Sequence, residues 1–327
     1  MEWLPLILAT GLLIQPAAEP LRLAGYQVHR RPIPAAAGTP ATDWSGSFVA
    51  WWDLEEASGT RIATGGTCAS GTDCDLTDNN TVGQDTTNFV EGTAAALYVQ
   101  ANNEYLSCTA ATCNELLFTS SFVAGCWART VDDTAAERRF MGGGYNVTSG
   151  FLHQRLASTD ANRCWVGDAG GAVNCVAATN SFPINTFGHQ VCAFDDAANQ
   201  IQPYVNGATS GSPCTQDSMV AGTASFLLSY NAATQDWDGQ TDECFVRSGT
   251  LTAAQICRVC SCGIDGKYCM CDAATPANYR SCSTDADCQV AGNTTALCNG
   301  GTCVGRNNTE TPNCGSCSLP SCNTAAP

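Results

Sequence analysis

The chain has 327 residues, with 30 acidic against 14 basic side chains, a net charge of −16 and a single lysine, Lys267. That surplus of negative charge excludes neutralising a phosphate backbone over several nucleotides, and it repels anionic membranes unless a bivalent cation bridges the two. A 44% hydrophobic composition excludes disorder across the body. The even count of 22 cysteines predicts eleven disulfides closed in an oxidising compartment.

Residues 3–14 are an apolar run of 12, too short to span a bilayer and the length of a signal-peptide core. Ala17-Ala18 after Pro16 suits cleavage, so residues 1–18 are read as a signal peptide and the protein as secreted or virion-surface. Glu2 and the lack of a basic residue before the run leave a buried structural element as the alternative. Residues 19–44 are rich in Pro and Ala around Arg30-Arg31 and read as an extended linker.

From 45 to 256 short β-branched and aromatic runs alternate with Gly/Asn/Asp/Ser clusters, beginning with Phe48 to Trp52 and ending with Gly239 to Arg247. A dozen such runs joined by short turns predict an all-β, two-sheet antiparallel jelly-roll sandwich. Asp168-Ala169-Gly170-Gly171 signals a hairpin turn, and Cys164 and Cys175, equidistant from its centre, are expected to face each other and bond. Asn79, Asn146, Asn293 and Asn307 open N-glycosylation sequons.

Several pieces of this stretch occur in an order that carries a family resemblance. Ala50-Trp51-Trp52 through Ser58-Gly59-Thr60 is similar to an opening strand and its turn. Ser121-Phe122 through Trp127, His189 through Asp195 and Tyr204-Val205-Asn206-Gly207 match later strands. Asp238-Gly239-Gln240-Thr241-Asp242-Glu243 matches an Asp-Gly-x-x-Asp-Glu signature, and Leu251 through Ile256 a closing helix. Together they resemble laminin-G-like domains of the concanavalin A-like lectin/glucanase class, and Leu54 through Arg61 resembles phage-borne examples. The resemblance implies a binding domain over about 45–257, with Trp52, Tyr98, Trp127 and Phe245 between its sheets and Trp237 also in the core.

The resemblance also implies one calcium between an early Asp/Asn loop and the final Asp-Glu strand, for which Asp75, Asp78, Asp242 and Glu243 are the candidate ligands. Turn-capping by the same carboxylates is the alternative. For glycan, Tyr145-Asn146 and Tyr230-Asn231 fit by residue type, an aromatic face beside an amide. The body departs from its relatives in its ten cysteines. Cys68 and Cys74, and Cys108 and Cys113, are close enough to staple single loops, while Cys126 and Cys192, on strands expected at the centre, are a candidate pair.

Catalysis is not expected. A glycosidase needs two carboxylates flanking the bond, and no Glu-x-Asp-x-x-Glu occurs. Asp236, Asp238 and Asp242 are spaced to share a strand face, and this alone keeps hydrolysis as a lesser alternative. His29, His153 and His189 are scattered, with no zinc-peptidase, Gly-x-Ser-x-Gly or phosphate-loop motif.

Residues 257–327 hold 12 cysteines and no long apolar run, so cross-links must replace a core. Cys282 through Cys288 with Cys298 through Cys303 resembles small disulfide repeats of secreted bacterial proteins. Cys257, Cys260, Cys262, Cys269 and Cys271 have spacings that also suit zinc, the lesser alternative. The expected function is adhesion to a glycan or a cell-surface protein, calcium-assisted or not. A structural subunit of a phage tail or cell envelope is the alternative.

Overall fold

A computed structural model of the chain describes residues 48–262, apart from 69–73, 91, 132–135, 147, 157 and 230–234, together with the backbone of 297–299 and 302–304. The expected signal peptide (1–18), the linker (19–44), Tyr230, Asn231, the sequons at Asn293 and Asn307 and nearly all of the cysteine-rich module lie outside the described residues.

Two antiparallel sheets face each other. The first runs, in spatial order, β13 (Ala208–Thr209), β12 (Gln200–Val205), β11 (Gly188–Asp195), β6 (Phe122–Thr130), β16 (Gly239–Ser248), β4 (Ala95–Tyr98) and β3 (Gly83–Asp85). Beside it β1 (Phe48–Trp52) pairs with β16, and β14 (Cys214–Thr215) pairs with β12. The second sheet runs β10 (Gly171–Val176), β9 (Ala161–Asp168), β8 (Ser149–Leu156), β7 (Arg138–Asn146), β15 (Phe226–Leu228), β5 (Tyr105–Cys108) and β2 (Thr77–Asn79). The longer strands coincide with the runs read from sequence. The two- and three-residue strands β2, β3, β13 and β14 carry too few alternating residues to leave such a pattern. In the C-terminal region Leu297–Asn299 pairs antiparallel with Thr302–Val304.

The space between the sheets is filled by Trp52, Tyr98, Phe122, Phe140, Phe151, Phe226 and Trp237, all fully buried. Trp52 stacks on Phe226 at 5.3 Å and donates its indole N–H to the Cys74 carbonyl at 2.9 Å. A second, smaller core lies on the other face of the first sheet, where helix α1 (Ala253–Cys262) covers it. Phe48, Val123, Val191, Phe245, Ile256 and Val259 form it. Phe245 therefore leaves the expected inter-sheet position for this outer core. Trp127 is on the outer face too, half-buried beside His189 at 5.3 Å.

The helix starts at Thr252, whose hydroxyl accepts the Gln255 N–H at 3.2 Å while Gln255 Oε1 accepts the Thr252 N–H at 2.9 Å. This reciprocal box satisfies two donors that a helix start leaves open. The helix continues beyond Ile256 and lays Cys257 and Cys260 against Gly207, so it crosses the expected 256/257 boundary.

The Asp-Gly-x-x-Asp-Glu stretch is a register device. Asp242 pairs with Trp127 and Phe245 with Gly125, so three steps on β16 oppose two on β6. The extra residue is accommodated by Glu243, whose φ of 47° lies in the left-handed region. Side chains alternate along a strand, so this single insertion turns Cys244 from the outer face to the inner one. There Cys244 bonds Cys126 across the ladder, with Cα atoms 4.1 Å apart. Gly239, at φ 144°, sits so close to β6 that a Cβ would stand 2.1 Å from the Arg129 carbonyl oxygen. Gly239→Ala is expected to lower unfolding free energy by about 2–3 kcal/mol. Gly59→Ala is left-handed too (φ 78°) but has nothing within 4 Å of its Cβ, and it should cost about 1 kcal/mol. Urea denaturation of both variants checks the ordering.

Cys68 bonds Cys74 and Cys108 bonds Cys113, as local staples. The other two expected pairings are corrected. Cys164 and Cys175 do face each other in register, and the turn at Ala169-Gly170 is the hairpin expected. Yet Cys175 bonds Cys214, which lies in the facing sheet. Cys192 lies opposite Ala124, two residues along the ladder from Cys126, and Cys126 is committed to Cys244. Cys175 reaches across the sandwich to the facing sheet, and Cys126 reaches its other neighbouring strand, β16, instead of β11.

Candidate functional site

Strand periodicity places large polar and aromatic groups on the outer face of the second sheet. Along β9, Cys164 and Val166 point into the core, so Arg163 and Trp165 point out. On β8, Phe151 packs in the core and its neighbour Leu152, opposite Trp165, faces out, followed by Gln154 opposite Arg163. Gly142 of β7 faces Leu152 without a side chain, and Tyr145 lies beside it. Leu152 and Gln154 are buried although they face outward, and the rings over them stay half-exposed.

The resulting platform is a continuous chain of contacts. Tyr145 and Trp165 meet edge to face, with centroids 6.0 Å apart and ring planes at 84°. Arg139 lies over Tyr145 with its guanidinium carbon 5.6 Å from the ring centroid, and Arg163 lies over Trp165 at 4.9 Å. Glu137 holds the arrangement by pairing with Arg163 at 2.7 Å and accepting the Gln154 amide N–H at 3.1 Å. Burial pulls Arg163 below its ordinary pKa, and the Glu137 carboxylate opposes that fall, which favours a fixed, charged guanidinium. The Trp165 indole N–H is covered and meets no acceptor among the described residues. Arg139, Arg163 and Glu137 place charged groups beside the two rings.

Of the residues proposed from sequence for glycan, Tyr145 is part of this platform and Asn146 is exposed at the end of β7 beside it. Trp165, Arg163 and Arg139 were missed, although the pattern Arg163-Cys164-Trp165-Val166 carried the signal: a tryptophan on the polar phase of a half-buried strand.

The four carboxylates proposed for calcium are placed otherwise. Asp75 accepts the Ala63 N–H at 3.0 Å, and Asp78 accepts those of Val82 at 2.8 Å and Gly59 at 3.0 Å. Asp242 accepts the Val90 N–H at 2.6 Å, and Glu243 forms the β16 bulge. Among the described residues no three His, Cys, Asp or Glu side chains stand close enough to hold a metal ion. The carboxylates of Asp75, Asp78 and Asp242 thus each accept a backbone N–H of a loop. Asp75 also lines a small polar cleft of about 360 Å³ with Thr60, Thr77, Cys108, Thr109 and Thr112, at the β2–β5 edge of the second sheet. Of the spaced aspartates considered for hydrolysis, Asp236 and Asp242 are fully buried. The backbone carbonyl of Asp238 accepts the Val131 N–H at 3.0 Å.

No helix among the described residues is long and apolar enough to cross a membrane. No curated protein matches the sequence. Among solved structures, domain 4 of AbnA, a GH43 extracellular arabinanase from Geobacillus stearothermophilus solved with arabinotriose, is similar. Its identity is 14% over 64% of this chain and 96% of that one, with a TM-score of 0.50. The receptor-binding domain of botulinum neurotoxin mosaic serotype C/D is similar at 9% identity, over 65% of this chain and 50% of the toxin chain, with a TM-score of 0.49. The botulinum neurotoxin serotype G binding domain follows at 12% identity, 64% and 49% coverage and a TM-score of 0.46. At these identities the likeness is one of fold. Residues 100–257 match the laminin G family model of the concanavalin A-like lectin/glucanases superfamily. The body of this chain is therefore a jelly-roll sandwich of two facing antiparallel sheets, of which residues 100–257 match that family model.

Proposed function

We propose that this domain is a non-catalytic extracellular or virion-surface recognition module that holds a glycan on the outer face of its second sheet. The observation that carries the reading is the half-exposed Tyr145–Trp165 pair, fixed by Arg139, Arg163 and Glu137. Sugars present an apolar ring face with hydroxyls at its rim. An aromatic ring covers the former, and guanidinium and carboxylate groups bond the latter. Because the flanking side chains already contact one another, little rotamer freedom is lost on binding. The bridges among the described residues support an oxidising compartment.

The test is a glycan array with the purified, oxidised protein, followed by titration of the best hit. Trp165→Ala is expected to weaken binding at least about 10-fold, roughly 1.4 kcal/mol, and Tyr145→Ala to weaken it comparably, each measured on protein shown to be folded by its circular dichroism. Chelation by EDTA is expected to leave affinity unaltered, since the platform is built of rings and guanidinium groups. Binding that survives both substitutions would move the site elsewhere, and no binding to any glycan would favour the structural-subunit reading.

A further inference from the structure

Eight of the ten cysteines between Cys68 and Cys244 are bonded, and Cys164 and Cys192 remain as thiols, both fully buried. They belong to opposite sheets, Cys164 to β9 and Cys192 to β11, and both point into the inter-sheet core. Their strands approach each other across the sandwich, and both side chains belong to the same inter-sheet core cluster. Each has lost its other nearby candidate: Cys175, directly opposite Cys164, is bonded to Cys214, and Cys126, close to Cys192 on the neighbouring strand, is bonded to Cys244. We propose that Cys164 and Cys192 close a fifth disulfide of this domain, a bolt through the middle of the sandwich.

The chemistry is thiol–disulfide exchange with a disulfide-bearing oxidant, the class that also closes the other bridges. One cysteine, as thiolate, attacks the oxidant's disulfide, forming a mixed disulfide and releasing one oxidant thiol. The second cysteine, as thiolate, attacks the protein sulfur of that mixed disulfide and expels the other oxidant thiol. Two protein thiols become one S–S bond. Their electron pair and two protons leave with the oxidant as two thiols. Burial pushes the Cys164 thiol well up, so almost no thiolate exists once the core has closed. The exchange therefore belongs to the folding stage, before the sheets seal. Cys164 lies between Arg163 and Trp165, so the bridge would anchor the strand that displays the platform to the opposite sheet.

Full-length protein from an oxidising host is unfolded in guanidinium without reductant, alkylated at low pH to suppress exchange, digested and examined by mass spectrometry. The expected product joins the Cys164 peptide to the Cys192 peptide, unalkylated and two hydrogens lighter than their sum. Alkylation of both residues, or linkage of either to another cysteine, would overturn the assignment. A second readout does not depend on folding. In denaturant, Cys192→Ala is expected to show one more titratable thiol than the parent, because Cys164 loses its partner. One fewer thiol would mean that the pair is a buried dithiol.

Discussion

Removing the Cys126–Cys244 bridge is expected to cost this domain the most stability of its two cross-links within the first sheet and its flanking loops. The two residues are 118 apart in sequence, against 6 for Cys68–Cys74. Loop-closure entropy scales with the logarithm of that length. It gives about 5 kcal/mol for the long loop and about 2 kcal/mol for the short one, before any native-state relaxation. The Cys126→Ala/Cys244→Ala protein should therefore lose about 3–5 kcal/mol in urea denaturation, and Cys68→Ala/Cys74→Ala about half as much. The long bridge also pins the β16 bulge, so its loss frees Glu243 from a left-handed conformation that ordinary side chains disfavour. Equal losses in the two variants would show that chain entropy is not what the long bridge supplies.

The second large effect is a loss of stability in mild acid. His153 and His189 are both fully buried, His153 against Phe140 at 4.4 Å and His189 between Trp127 and Phe245. Burial pulls both down to about 3; for His153 the neighbouring Asn162 opposes the fall and His189 adds to it. An exposed histidine in the unfolded chain titrates near 6.5, so between about pH 6.5 and pH 3 the unfolded state binds more protons. Stability is complete above that range and falls as pH drops through it. The limiting slope is about 1.4 kcal/mol per pH unit for each histidine, hence about 4 kcal/mol for the pair at pH 5. Urea denaturation at neutral pH and at successively lower pH measures the slope. His153→Leu should roughly halve it, and a stability flat from neutrality to pH 5 would contradict the burial argument. The aromatic platform carries no histidine, so glycan binding by protein that remains folded should not follow this profile.

The fold was legible because strands announce themselves by alternation. Phe151, Cys164 and Val166 fall on the inward phase and Gln154 and Arg163 on the outward one, and β8 and β9 have that register. The Asp168–Gly171 turn was legible for the same local reason: the Asp168 carboxylate accepts the Gly170 N–H at 2.6 Å and Gly171 takes φ 126°. The Thr252–Gln255 helix start is equally local. The candidate site was half legible. Tyr145 was named from sequence by type, whereas Trp165 was not named, although its phase on β9 turns it outward.

What sequence alone determined is therefore what depends on near neighbours: strand phase, turn chemistry, the helix cap, the two short disulfide loops and the acidic, cysteine-rich character of the chain. What only the tertiary structure decided are the contacts between residues far apart in the chain. Cys126 with Cys244, Cys175 with Cys214, Cys164 against Cys192 and the Tyr145–Trp165 pair all depend on which strands become neighbours or face one another. The bulge at Glu243 shows the physical reason. One extra residue inverts the face of every side chain after it, and whether it is inserted is settled by the partner strand, not by the segment that carries it.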